Sequence, residues 1–346
     1  MTLRFGMAGL RHPHLEILLR EVESRPGDVR MVAIAEEDPE LREQFARRLG
    51  ATAYADYREM LARERLDAVG VVAINGARGR VVADCLAAGV HVVADKPLCT
   101  TLEDLDAVEV AWRASGRHLS LLLDKRHYAP TLAVREILAS GELGDLAMAW
   151  ASGPHRLRRE TRPAWMFRRT DYGGILNDLC IHDIDLILLL TGARAGTVQG
   201  LAGNRAHRDL TEFQDHGQVL LRTDDGLLAT VEAHWFSPEA APYHGDYRMV
   251  LTGTEGTAEL RWAHDELIVA SHQRAPESVP LPPAGSIAAD FLDAVIAGRE
   301  PGVRAEEALT ATRVALIAQV TANGGEWQRW EAVSATVPLA GKVITQ

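Results

Sequence analysis

Two mainly apolar runs of strand length, from Asp67 to Ala73 and from Val90 to Ala94, enclose a helical segment over residues 80–88 that Gly89 closes. Apolar runs of that length suit strands buried on both faces, and strand, helix, strand in succession predicts a parallel pair joined by a crossover. The same alternation fills the rest of the first third, with a strand from Leu3 to Gly9, a helix over 13–23, a strand from Arg30 to Ala35, a helix over 39–49 and a short strand from Leu119 to Leu123. A helix over 128–138 then leaves this region. Beyond residues 120–125 the pattern becomes one of strands with shorter connections, at 147–153, 195–203, 216–222, 227–236, 246–252, 257–262 and 266–270. These predict an open, mainly antiparallel sheet. One helix interrupts them, starting after Gly173 and Gly174, running to about Leu190 and stopping at Gly192. Two more, over 286–297 and 305–322, follow the proline-rich link 279–284. The expected fold class is α/β: a doubly wound parallel sheet over residues 1–122, then an α+β domain over residues 123–346.

Composition narrows the function. A chain of 346 residues is long enough for two domains with a cleft between them. With 47% hydrophobic and 25% charged residues it has a substantial core, and a net charge of −11 disfavours nucleic acid and anionic membranes as partners. No segment offers the ~20 apolar residues of a membrane span, and the N-terminus leads directly into a strand without a secretory pattern. Cys85, Cys99 and Cys180 lack metal-site spacing and read as reduced thiols. A cytoplasmic enzyme with small-molecule partners and no metal is expected.

Ligands of open parallel sheets bind beyond the carboxyl ends of the strands. That rule singles out Asp95-Lys96-Pro97, because Lys96 lies just past the strand ending at Ala94 and Pro97 biases it away from helix. The first strand runs into Gly9-Leu10-Arg11-His12-Pro13-His14, where a dinucleotide turn asks for three glycines. Only Gly9 stands, with Arg11 and His14 in the other two places. The N–H groups opening the next helix still offer a pyrophosphate site, and Arg11 adds a cation; an ordinary βα turn with a solvated arginine is the alternative. Glu36, after the second strand, is placed to accept from ribose hydroxyls, and with Glu37 and Asp38 it repels a 2′-phosphate, which favours NAD over NADP. Asp38 also suits a helix cap before Pro39. Asp178 and His182, four apart, would share a helix face, where the carboxylate either fixes the imidazole as a general base or makes a surface contact.

Together, the Gly9 turn, Glu36, Ala73-Ile74-Asn75 after the third strand, Asp95-Lys96-Pro97 after the fourth and the run from Gly173 to Asp185 resemble the Gfo/Idh/MocA oxidoreductases. The resemblance covers nearly the whole chain and continues through residues 246–260 and 291–295. It implies a Rossmann domain that binds NAD(P), and a second domain on an open sheet that often mediates oligomers, here a homodimer or homotetramer. It further implies oxidation or reduction of sugars, cyclitols or related compounds. Lys96 matches the lysine of a Glu-Lys-Pro motif, although Asp95 is one methylene shorter than glutamate, and Asp178 and His182 match an Asp-x-x-x-His pair; these three are the expected catalytic residues. Gly9, Leu10, Arg11, His12, Glu36, Ala73, Asn75, Asp95, Lys96 and Arg126 are the expected cofactor contacts. Arg78 stands near the place of a histidine often found in the family.

The expected function is NAD-dependent hydride transfer between nicotinamide and a sugar, cyclitol or sugar-acid hydroxyl. NAD-assisted hydrolysis or epimerisation without net redox change, or a non-catalytic ligand sensor, are the alternatives. The stretch from His155 to Arg169 is unusually basic for an acidic chain. Arginine forks suit carboxylates or phosphates and Trp165 suits a sugar ring, so Trp165 and Arg168 join Lys96, Asp178 and His182 as expected substrate contacts. A solvated loop or a subunit contact accounts for the same stretch equally well.

Overall fold

A computed structural model describes residues 2–334. The first third contains strands β1 (Leu3–Ala8), β2 (Val29–Ala35), β3 (Thr52–Tyr54), β4 (Ala68–Val71), β5 (His91–Ala94) and β6 (Leu119–Leu121). Between them run helices α1 (Leu15–Ser24), α2 (Pro39–Leu49), α3 (Tyr57–Arg63), α4 (Asn75–Ala87) and α5 (Leu102–Ser115). All neighbouring strands pair in parallel, in the order β3-β2-β1-β4-β5-β6. Every residue of β4 and all but the first of β5 are buried, as unbroken apolar strands covered on both faces must be. The order reverses direction between β1 and β4, so the crevice for a ligand opens at the carboxyl ends of those two strands.

The remainder begins with a short 3₁₀ turn (Asp124–His127) and α6 (Ala129–Ala139), followed by β7 (Leu146–Pro154) and the single turn α7 (Arg169–Tyr172). A π-helical turn (Leu176–Cys180) then runs directly into α8 (Ile181–Thr191). Strands β8 (Ala195–Gly203), β9 (His216–Thr223), β10 (Leu228–His234), β11 (Arg248–Gly253), β12 (Gly256–Arg261), β13 (Glu266–Ser271) and β14 (Arg274–Ser278) follow. Helices α9 (Ile287–Ala297) and α10 (Ala305–Thr321) and strand β15 (Gln328–Glu331) complete the described chain. The second sheet has nine strands in the order β14-β13-β12-β11-β7-β10-β9-β8-β15, antiparallel throughout except for the parallel pair β7 and β10. Its inner residues alternate buried with outward ones, as in β9 and β10, while Met148, Trp150, Leu201 and Leu228 stand exposed on the strands. Helix α10 packs against β8 and α8 of this half and against α5 and β6 of the other.

The structure departs from the sequence expectations at particular places. Helix α1 starts at Leu15 rather than Pro13, because His12, Pro13 and His14 form a turn whose carbonyls receive the N–H groups of Leu15, Glu16 and Ile17. Helix α4 begins at Asn75, five residues earlier than expected. The helix after Gly174 is π-wound over its first turn, a difference that matters for the site.

Candidate active site

At the end of β1 the chain must turn tightly against the chain leaving β4. Gly9 does so at φ +78°, and a Cβ there would sit 2.4 Å from Ala73 Cα, so only glycine fits. Beyond it Glu36 is fixed by three donors: Leu10 N–H to Oε2 (2.9 Å), Arg11 Nε to Oε1 (2.8 Å) and Asp38 N–H to Oε1 (3.0 Å). Gly9, Arg11, Glu36, Tyr57, Ala73 and Ala77 line a cavity of about 230 Å³. A glycine cradle that any side chain would fill, with an anchored acid at its rim, fits the adenosine and pyrophosphate half of NAD. Arg11 lies on Glu36 rather than in the turn, which leaves the backbone approach clear. Asn75 opens α4, donates Nδ2 to the Tyr172 carbonyl (3.0 Å) and keeps a buried Oδ1 unpartnered.

Asp95 has a different place from the one expected. Its carboxylate is fully buried and accepts from the Lys96 N–H (2.8 Å) while facing His14 Nδ1 (2.8 Å), His12 Nδ1 (3.1 Å) and Arg78 Nη2 (3.3 Å). It is the hub that holds the turn after β1 to the turn after β5, and it lines neither cavity described here. Burial opposes its ionisation, but the histidines and Arg78 around it hold it well below the usual carboxylate range. His12, His14 and Asp95 bring ligand atoms within 4.8 Å of one another. Arg78, spent on the same carboxylate and on the Ala73 and Pro97 carbonyls, already supplies the positive charge a metal ion would bring.

Lys96, Asp178, His182 and His12 line a second cavity of about 460 Å³. Lys96 Nζ donates to Asp178 Oδ1 (2.7 Å) and to the Asp178 carbonyl (3.0 Å), so the cation from the parallel sheet meets the acid of the later helix. Burial opposes Asp178's ionisation, yet Lys96 holds it below its ordinary value. The expected Asp178–His182 couple is not formed. The widened π turn breaks the stacking of residues four apart. His182 Nδ1 instead lies 3.6 Å from Asp124 Oδ1, without a hydrogen-bond partner, and Asp124 accepts from the Tyr128 hydroxyl. Burial, reinforced by Lys96 and Lys125, pushes the imidazole well below 6.5. It is therefore neutral at neutral pH.

Asp124, Lys125 and Tyr128 line the same cavity and were missed from sequence. The rule that selects Lys96 past β5 selects them past β6. Lys125 Nζ pairs with buried Asp183 (2.6 Å) and lies 5.0 Å and 4.6 Å from the ring centroids of Tyr247 and Trp262. His155, Arg158, Arg162, Met166, Trp235 and His244 supply more of the wall.

Three expected contacts lie elsewhere. Arg126 turns away from the cofactor and is buried between Asp185 (2.5 Å) and Glu307 (2.6 Å), because successive residues of a 3₁₀ turn point in different directions. Arg168 is exposed and paired with Asp171. Trp165 is buried behind the wall, its ring 6.3 Å from that of His12.

Residues 3–122 match the oxidoreductase family with an NAD-binding Rossmann fold, and residues 131–259 match the GFO/IDH/MocA C-terminal domain. The dTDP-3,4-didehydro-2,6-dideoxy-alpha-D-glucose 3-reductase of Streptomyces antibioticus is 27% identical over 322 residues, covering 90% of this chain and 94% of that protein. The scyllo-inositol 2-dehydrogenase (NAD(+)) of Bacillus subtilis (strain 168) is 26% identical over 276 residues, covering 77% and 75%. The structure of a levoglucosan dehydrogenase in complex with NADH and levoglucosan superposes with a TM-score of 0.83 at 19% identity, covering 95% of this chain and all of that one, a likeness of fold. With both halves matched in sequence and the whole matched in shape, the chain belongs to the GFO/IDH/MocA family of NAD-binding oxidoreductases.

Proposed function

We propose that this oxidoreductase acts on a CH–OH group of a sugar, cyclitol or sugar acid, with Lys96 and His182 as its catalytic residues. The carrying observation is that a cation from the end of β5 and a neutral imidazole from the start of α8 line one cavity. NAD supplies the acceptor for the two electrons and the hydrogen that leave the carbinol carbon. Asp124 beside Nδ1 favours the tautomer with the proton on that atom, leaving Nε2 to take the hydroxyl proton. Lys96, anchored by both oxygens of Asp178 that it touches, stabilises the alkoxide charge as it develops. Asp178 acts by holding the ammonium, and Asp124 by orienting the ring and stabilising the imidazolium.

Gly9, Leu10, Arg11, Glu36, Ala73 and Asn75 would hold the cofactor, and the acids at its rim support NAD over NADP. We further propose a division at residues 122/123, with the second part presenting the open face of its sheet, where Met148, Trp150 and Leu228 are exposed, to another copy of the chain. The three cysteines are buried and free, which supports a cytoplasmic setting; no helix among the described residues is long and apolar enough to cross a membrane. The test is an absorbance screen for NADH formation against polyols, inositols, aldonates and sugars, with Lys96→Met and His182→Gln as controls. Stoichiometric release of NADH supports net oxidation. Turnover without NADH release would replace this reading by hydrolysis or epimerisation.

A further inference from the structure

The basic stretch that follows β7 carries six arginines, and the structure accounts for four of them. Arg156 donates to the carbonyls of Ala241 and Tyr243, Arg159 pairs with Asp209, Arg168 pairs with Asp171, and Arg169 donates to Gln214 Oε1 (2.6 Å). Arg158 and Arg162 are the remainder, and both line the cavity that contains Lys96 and His182. Neither has an acidic partner among the described residues. Arg162 spends Nε on the Leu157 carbonyl (2.7 Å) and Nη1 on the Met166 sulfur (3.2 Å), lies with Cζ 4.1 Å from the Trp235 ring centroid, and keeps Nη2 unused. Arg158 adopts φ +50°, a left-handed conformation uncommon for a residue with a side chain, held by its carbonyl accepting from the N–H groups of Thr161 and Arg162 (both 3.1 Å).

We propose that the substrate carries a carboxylate and that Arg158 and Arg162 bind it, while its reacting hydroxyl meets Lys96 and His182. The inference rests on the oxidoreductase reading and names its substrate class: a hydroxylated monocarboxylic acid of the aldonate or uronate kind. The charges around the cavity set the valence. Lys96 is matched by Asp178 and Lys125 by Asp183, which leaves two arginines against Asp124, an excess of a single positive charge. A monoanion neutralises that excess, whereas a phosphate dianion overshoots it. Arg162 is held on a flat indole face with Nη2 free, so that nitrogen can donate to a carboxylate oxygen in the cavity. Burial lowers its pKa, against a smaller upward pull from Tyr172 and Asp178. Nearby His244 is pushed down to about 4, by burial first and then by Arg158, Arg162 and Arg156.

The experiment compares each aldonate with the alditol of the same configuration and with the corresponding sugar phosphate, using intact protein and NAD. The wild-type kcat/KM should favour the aldonate over the alditol by roughly 100-fold, since a buried charged site left unfilled is costly. In Arg158→Gln and Arg162→Gln that ratio should fall at least about tenfold, chiefly through KM, and Arg162→Lys should restore part of it. Arg158→Gln removes no internal hydrogen bond of the side chain, so it stays informative should Arg162→Gln fail to fold. An equal or reversed aldonate-to-alditol ratio, a preference for the phosphate, or an unchanged ratio in both glutamine variants overturns the proposal. If no compound reduces NAD, the oxidoreductase reading fails, and tryptophan fluorescence of the protein with NADH decides this one alone. A saturable change with aldonate that Arg158→Gln weakens supports the carboxylate site, and its absence overturns it.

Discussion

The π turn at Leu176–Cys180 and the α-helix Ile181–Thr191 that continues from it use the same chemistry to opposite ends. Each sets buried carboxylates against cations that come from loops past the parallel sheet: Asp178 against Lys96 in the first, Asp183 and Asp185 against Lys125 and Arg126 in the second. In the π turn the ammonium also reaches a backbone carbonyl and borders the large cavity, and the carboxyl is shifted toward ionisation. In the α-helix burial outweighs the partner and shifts Asp183 and Asp185 the other way. A buried ion pair is therefore not in itself a sign of catalysis and can be fastening alone: Arg126 with Asp185 lines neither of the two cavities described, whereas Lys96 with Asp178 lines the one that also holds His182.

The contrast is sharpest at Lys96 and Arg126. Replacing Lys96 by Met should lower kcat by about 10³-fold with NAD affinity within a few-fold of normal, as measured by steady-state rates and NAD titration calorimetry. Arg126→Met should do the reverse: a loss of about 3–5 kcal/mol in urea unfolding, from stranding Asp185 and Glu307, with kcat nearly intact well below the melting temperature. If Arg126→Met instead raised the Kd for NAD at unchanged stability, the assignment of that residue to the fastening side would be wrong. Asp124→Asn should cost about 10–100-fold in kcat, since it removes the acid 3.6 Å from His182 Nδ1 while leaving Lys96 in place. A more general effect is acid sensitivity. His12, pushed down to about 3, and His182, well below 6.5, both chiefly by burial, stay neutral in the folded state. Below pH 6.5 their unfolded counterparts bind protons first, so stability falls as the pH drops from 6.5 toward 3. Between pH 6.5 and 5 the loss from His12 should be about 1.6 kcal/mol, with a further loss of the same sign from His182, read from urea midpoints and removed in part by His12→Asn. Arg168→Ala is the smallest effect, below about 0.5 kcal/mol in stability and without change in KM, because its pair with Asp171 is exposed.

Much of the fold was legible because the chain alternates so regularly. The strand expected over 195–203 is β8 to the residue, and the helix expected over 286–297 differs from α9 by one. Short edge strands escaped: β3, β14 and β15 hold three to five residues, few of them buried, so no face is marked. Helices α3 and α5 also went unassigned, although Asp56 and Thr101 cap them by accepting from Arg58 and Asp104 and were open to being read as caps. At the site, Gly9, Glu36, Lys96, Asp178 and His182 stand where element ends place them. Partner choice did not follow from spacing. A four-residue interval marks a common face only on an α-helix, and nothing in the letters announced the π turn. Nor does sequence say which of Lys125 and Arg126 looks inward.

Helix α10 carries a practical consequence. Arg313 on it pairs with Asp106 and Glu109 of α5, and Arg113 of α5 reaches the carbonyl of Ser334 at the far end of the described chain. A fragment cut after residue 122 would lose that cover and carry a bare, partly apolar flank into solution. The nucleotide-binding half borrows part of its own wrapping from α10, far along the chain, so a nascent chain cannot finish that half until Ala305–Thr321 has been made.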